Sequence, residues 1–118
     1  MASEDDVERL ALALPGVRAD EPRGQRCYTV AGKSIAWAYL ARDKPKERRT
    51  LRPGIVAIRC AAEEKELLIE AAPDIYFSDD HYRGFPAVLV RLAAIGEAEL
   101  GVRLARAFEI QAPKRRRR

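Results

Sequence analysis

The sequence predicts an α+β fold: an antiparallel β-sheet with helices packed on one face, in the order α-β-β-β-α-β-β-α. Three observations carry this. Three segments place apolar residues at helical spacing and end at Pro or Gly. Five short runs alternate apolar residues with a period of two or cluster β-branched and aromatic residues between turn formers. Hairpin turns join most of these runs, so the strands are short and antiparallel between bounding helices.

The first helix spans residues 4–14. Ser3 caps it, Asp6 three residues on completes a short capping box, and Val7, Leu10, Ala11 and Leu14 form its apolar stripe before Pro15-Gly16 stops it. A loop over residues 18–24 leads into strands over 26–31 and 34–41, joined at Gly32-Lys33. The second of these strands puts Ile35, Trp37 and Tyr39 on one face and Ala36, Ala38 and Leu40 on the other. The large face is expected under the helices and the small face shallow. Gly32-Lys33-Ser34 lacks the first glycine and the following helix of a phosphate-binding loop, and is a hairpin turn. Residues 42–52 form a charged connection. A third strand covers 54–60, with Val56, Ile58 and Cys60 alternating against Ile55, Ala57 and Arg59. The second helix covers 63–72, with Leu67, Leu68 and Ala71 inward and Glu63, Glu64, Glu66 and Glu70 wet, until Pro73 ends it. Strands at 75–77 and 87–90 flank the polar loop around Asp79-Asp80-His81-Tyr82-Arg83-Gly84. The last helix covers 97–111, with Leu100, Leu104, Ala107 and Phe108 as its stripe.

At 118 residues the chain makes one domain, expected over 1–113, with a disordered basic tail at 114–118. The 47% hydrophobic and 34% charged fractions exclude a disordered chain, and no apolar run approaches the roughly 20 residues that cross a bilayer. The acidic start Ser3-Glu4-Asp5-Asp6 argues against a secretory signal, so a cytoplasmic protein without membrane partners is expected. Cys27 and Cys60 lack metal-ligand spacing, the chain has one histidine, and both cysteines are expected as buried reduced thiols; no metal and no cofactor is implied. The net charge of +4 hides a strong asymmetry. Residues 18–59 hold 11 basic and four acidic side chains, residues 60–113 five basic and ten acidic, and the tail five basic ones.

Several strings lie in a recognisable order: Leu14-Pro15-Gly16-Val17, Val30-Ala31-Gly32-Lys33, Ala72-Pro73-Asp74, His81-Tyr82-Arg83-Gly84-Phe85, Val88-Leu89-Val90-Arg91-Leu92 and Ala112-Pro113-Lys114. Together they resemble the MmcQ/YjbR-like family of small bacterial proteins, over nearly the whole chain. The resemblance implies a fold related to CyaY and frataxin and a protein commonly labelled DNA-binding. It supplies no catalytic residues. The family often has Trp where this chain has Phe85.

Two function classes follow. The first is a non-enzymatic nucleic-acid-binding module, with duplex DNA as the expected partner. Arg42, Lys44, Lys46, Arg48, Arg49 and Arg52 sit on one exposed connection where they reach successive phosphates, and Lys33 at the neighbouring turn and Lys114, Arg115 and Arg116 in the tail extend the contact. No recognition-helix pattern reads bases, so binding should be sequence-tolerant and salt-sensitive. The alternative is a small-molecule or protein-partner module using residues 79–85, with Asp79, Asp80, His81, Tyr82 and Arg83 as a polar rim beside Tyr76, Phe77, Tyr82 and Phe85. Its plainer counterpart is a loop that braces the strand ends. Catalysis has little support, because Cys27 and Cys60 lie on strands with no histidine nearby in sequence and the single histidine is in a distant loop. The carboxylates of the first helix serve its N-terminus better than a hard-cation site.

Overall fold

The computed structural model describes residues 1–113. Its elements are α1 (Glu4–Leu12), β1 (Val17–Asp20), a 3-10 turn (Pro22–Gly24), β2 (Cys27–Val30), β3 (Lys33–Ala41), β4 (Thr50–Arg59), α2 (Ala62–Ala71), β5 (Tyr76–Phe77), β6 (Ala87–Arg91) and α3 (Glu97–Gln111). The strands form one antiparallel sheet in the order β1-β2-β3-β4-β6-β5. The α+β class and the helices on one face are as the sequence predicts. Residues 17–20 are an additional edge strand rather than loop. Only Val17 and Ala19 of its four residues turn toward the core, too short an alternation to stand out beside the charges of Arg18 and Asp20.

Serine capping of α1 is realised in full. The Asp6 N–H donates to Ser3 Oγ at 3.3 Å, and the Ser3 N–H donates to the Asp6 carboxylate at 2.9 Å. Val7 and Ala11 of α1 and Leu100, Leu104 and Ala107 of α3 are buried against Val56, Ile58, Val88 and Val90 of the sheet. Burying such side chains contributes about 1.5–3 kcal/mol each, so this layer dominates the stability.

Beyond Ile35, which lies under the helices as expected, the two faces of β3 are the reverse of the expectation. Tyr28 opposes Ala36 while Thr29 opposes Ser34, so Ile35 is an extra residue in β3, a β-bulge. Ile35 and Ala36 are therefore both fully buried on the helical side. After the bulge the small residues Ala36 and Ala38 pair with Ile58 and Val56 under the helices, and α3 packs across β3. Trp37 and Tyr39 turn to the opposite face, with Ala57, Leu89 and Phe77, where the loop over residues 78–86 covers them. That face is a second, aromatic core.

In α2 the inward positions are Lys65, Leu68 and Ile69; Leu67 is 65% exposed and Ala71 is exposed, which corrects the expected face. Glu64 also leans inward and accepts from Arg103 (2.9 Å) and Arg106 (3.0 Å) of α3. A second irregularity interrupts β3–β4 pairing. Ala38 opposes Val56 but Leu40 opposes Leu51, so β4 carries surplus residues around Pro53 and Gly54. Pro53 has no N–H for the ladder, and Gly54 adopts a φ of 85°, which favours glycine.

Candidate nucleic-acid interface

The basic connection is shorter than its charge run. β3 ends at Ala41 and β4 begins at Thr50, so the connection is residues 42–49, and Arg52 lies in β4. Arg42, Lys44, Lys46 and Arg48 are exposed and Arg49 is half-buried. The backbone turns at Lys44, whose carbonyl accepts from the Glu47 N–H at 3.0 Å. Arg52 pairs with Asp43 at 3.2 Å. Among the described residues the other five cations make no ion pair, and all but Arg49 are exposed to water.

Lys33 does not join this cluster. Successive turns of an antiparallel meander fall at alternate ends, and β3 separates Lys33 from Arg42 by its full length, roughly 26 Å at about 3.3 Å per residue. Gln111 at the end of α3 donates to the Ser34 carbonyl at 2.9 Å, so the last described residues lie at the Lys33 end. Lys114, Arg115 and Arg116, with the expected disordered tail, lie outside the described residues.

What the connection does meet is the 78–86 loop. Arg42, Lys44 and Arg49 form one wall of a cleft of about 350 Å³, and Asp79, Asp80 and His81 form the other, with Tyr39 and Pro45 also lining it. The two segments that sequence reasoning treats as rival sites are thus two sides of one surface. The loop itself is braced. The Tyr39 hydroxyl and the Tyr82 N–H (2.9 Å) both donate to the Asp79 carboxylate, and Trp37 Nε1 donates to the Tyr82 hydroxyl at 2.8 Å. Lys65, 7% exposed, donates from Nζ to the carbonyls of Tyr82 (2.6 Å) and Phe85 (2.9 Å). Burial pulls the Lys65 ammonium below the usual lysine pKa, with Cys60 and Asp79 opposing it. Burial, then the Asp79 hydrogen bond, pushes the Tyr39 hydroxyl up to about 12.

The aromatic patch differs in membership from the one expected. Tyr76 lies in the helical core, where its hydroxyl donates to Glu99, while Trp37 and Tyr39 join Phe77, Tyr82 and Phe85. Arg59 stands over two of these rings, 5.5 Å from the centre of Trp37 and 5.0 Å from that of Phe85, and Arg91 stands 4.1 Å from Phe77. Sequence reasoning missed Trp37, Arg59 and Lys65. The bulge hid the first, and the other two look like ordinary surface cations. The only available signal was the alternation that puts Arg59 on the face of Ile55 and Ala57.

The remaining chemistry is spoken for. Cys60 lies in the helical core, and burial pushes its thiol up to about 11; Cys27 is half-buried on the other face, opposite Trp37. In α1, Glu4 accepts from the Gly54 N–H (2.9 Å), Asp6 closes the capping box and Glu8 pairs with Arg26. Among the described residues no group of three His, Cys, Asp or Glu side chains is placed to hold a metal, and no helix is long and apolar enough to cross a membrane. A second groove, of about 390 Å³, opens beside α1 where β4 bulges, over Ala38, Leu51 and Val56.

The sequence matches the family model described as YjbR over residues 12–110. It is similar to the uncharacterized protein Rv2570 of Mycobacterium tuberculosis and the uncharacterized protein Mb2600 of Mycobacterium bovis. Each is 38% identical over 122 residues, covering 97% of this chain and 92% of the relative. Its fold is similar to that of the Deinococcus radiodurans protein DR2400, whose crystal structure carries the domain name DUF419. The TM-score is 0.68 at 20% sequence identity, over 93% of this chain and 78% of that one. At that identity the likeness concerns the fold alone.

Proposed function

This chain belongs to the YjbR family, and on that premise we propose that it is a non-enzymatic DNA-binding protein whose residues 42–49 hold phosphates without reading sequence. One observation carries the proposal: five cations on a single eight-residue connection, Arg42, Lys44, Lys46, Arg48 and Arg49, outside any ion pair among the described residues and gathered at one end of the sheet. Such a cluster exchanges condensed counterions for protein charge, a gain available with any nucleic-acid sequence. Arg52, tied to Asp43, supports the base of the connection.

The test is anisotropy of a labelled duplex at about 50 and about 200 mM salt. The chains to compare are the full protein, a version ending at Pro113, and an Arg48→Glu/Arg49→Glu variant. The double reversal should weaken binding at least tenfold for every duplex sequence and reduce the salt slope by about two. Unchanged affinity would remove the connection from the contact. Binding lost only on truncation would move the site to residues 114–118.

A second reading, a small-molecule or partner-binding module built on residues 79–85, is favoured by the cleft of about 350 Å³. His81 is exposed, so His81→Ala separates this reading from a loop that only braces the strand ends: ligand capture would fall with the melting temperature unchanged, whereas a large loss of stability would favour bracing.

A further inference from the structure

We propose that the cleft and the aromatic patch beside it select a single nucleic-acid strand over a duplex, with His81 in the cleft and Phe85 on the other side of Tyr82 as the rings on which bases stack. This rests on the reading that residues 42–49 hold phosphates, and it adds the form of the nucleic acid.

Duplex binding through the backbone requires cations alone, because the base faces are hidden in the helical stack. An unpaired strand exposes those faces, and proteins that bind it join a positive groove to aromatic side chains. Both parts are present here side by side. The cation wall of the cleft faces the loop that carries the rings. Phe85 is 39% exposed although apolar, and His81 is exposed. Each packs edge-on against the same buried Tyr82, at 5.9 Å and 5.2 Å between ring centres, so they flank one fixed point. The mount is stiff: Lys65 and Asp79 tie down the backbone beneath Tyr82, and Trp37 holds its hydroxyl. Arg59 beside Phe85 adds a guanidinium that lies over rings and suits a stacked base or its phosphate.

Two of the neighbouring carboxylates are paired with cations, and a third is held down against the loop that carries the rings. Asp43 pairs with Arg52, Asp80 with Arg83 at 2.6 Å, and Asp79 accepts from Tyr39 and Tyr82.

Trp37 is the chain's only tryptophan, and its ring centre lies 6.2 Å from that of Phe85, so it reports on that ring's neighbourhood. The experiment titrates the full chain, its Phe85→Leu variant and its Phe85→Tyr variant with an oligo-dT, an oligo-U and a mixed-sequence duplex of equal length, reading anisotropy and tryptophan emission. Single strands should bind at least fivefold tighter than the duplex and quench Trp37. Phe85→Leu, which keeps the apolar cover, should cost the single strand about fivefold or more and leave the duplex within twofold; Phe85→Tyr should retain binding. Oligo-U bound in preference to oligo-dT would support the inference and make the strand RNA. Equal affinity for duplex and single strand, or an equal loss for both in Phe85→Leu, would overturn it while leaving the phosphate-binding reading standing. No binding of any nucleic acid would overturn both.

Discussion

Lys65 illustrates how much one residue can organise here. A lysine that is 7% exposed is costly unless its ammonium is satisfied, and its partners are two backbone carbonyls of the 78–86 loop. Each of those carbonyls also accepts one backbone N–H, from Phe85 (3.0 Å) and Ala87 (2.8 Å) respectively, so the ammonium binds their second lone pairs. Lys65→Met keeps the aliphatic stem and removes the donor. It should lower stability by about 1–3 kcal/mol, since relief of ammonium burial offsets part of the lost bonding. The melting temperature should fall by roughly 4–12 °C, with faster amide exchange confined to residues around Tyr82 and Phe85. An unchanged exchange rate there would show that Asp79 and Trp37 suffice to hold the loop. None of this was legible in the sequence, where a lysine between Glu64 and Glu66 looks like one more solvated charge on a helix.

At the level of elements, long periodic segments were the most readable. The capping box and the stripes of α1 and α3 follow from sequence because several residues agree on one face. In α2 they do not agree: Leu67 points outward and Lys65 inward, so the apolar pattern is offset from the buried one. Leu67→Ala should therefore change stability by less than about 0.5 kcal/mol, whereas Leu68→Ala, which packs against the core, should cost about 1–3 kcal/mol. A urea titration of both variants decides it; equal losses would restore the face that the sequence suggested. β1 escaped notice because two inward residues make no period. The orientation of Trp37 escaped because a bulge reverses the alternation on which strand reading depends.

Across the whole molecule, buried acids dominate the response to alkali. Tyr39 at about 12 and Cys60 at about 11 are raised chiefly by burial, and burial also raises Tyr28, Tyr76 and Tyr82. Each therefore holds its proton more tightly folded than unfolded. The stabilisation they bring is complete below their unfolded values, about 8.5 for cysteine and 10 for tyrosine, and is lost as pH climbs through the folded ones. The urea midpoint should be level near neutrality and fall steadily between about pH 9 and 12. Tyr39→Phe should flatten that fall above pH 10, because its shift of about two units is worth up to roughly 3 kcal/mol. A midpoint independent of pH over that range would show that these hydroxyls open to water without unfolding. The candidate site is likewise a whole-molecule property. Its cations and its loop were each visible in sequence; their meeting in one cleft depends on the sheet order that brings β3 and β4 beside β6.

The bulge at Ile35 also bears on how this chain can change length. Removing one residue from a central strand ordinarily turns every later side chain to the wrong side of the sheet. Here the strand already carries a spare. Excise Ile35, and Ser34 and Ala36 become neighbours with the same β2 partners, Thr29 and Tyr28, that they have now. The aromatic side keeps its orientation and the loss is one buried isoleucine. In the middle of the sheet, this is a position where a codon can be dropped without overturning the molecule's two sides.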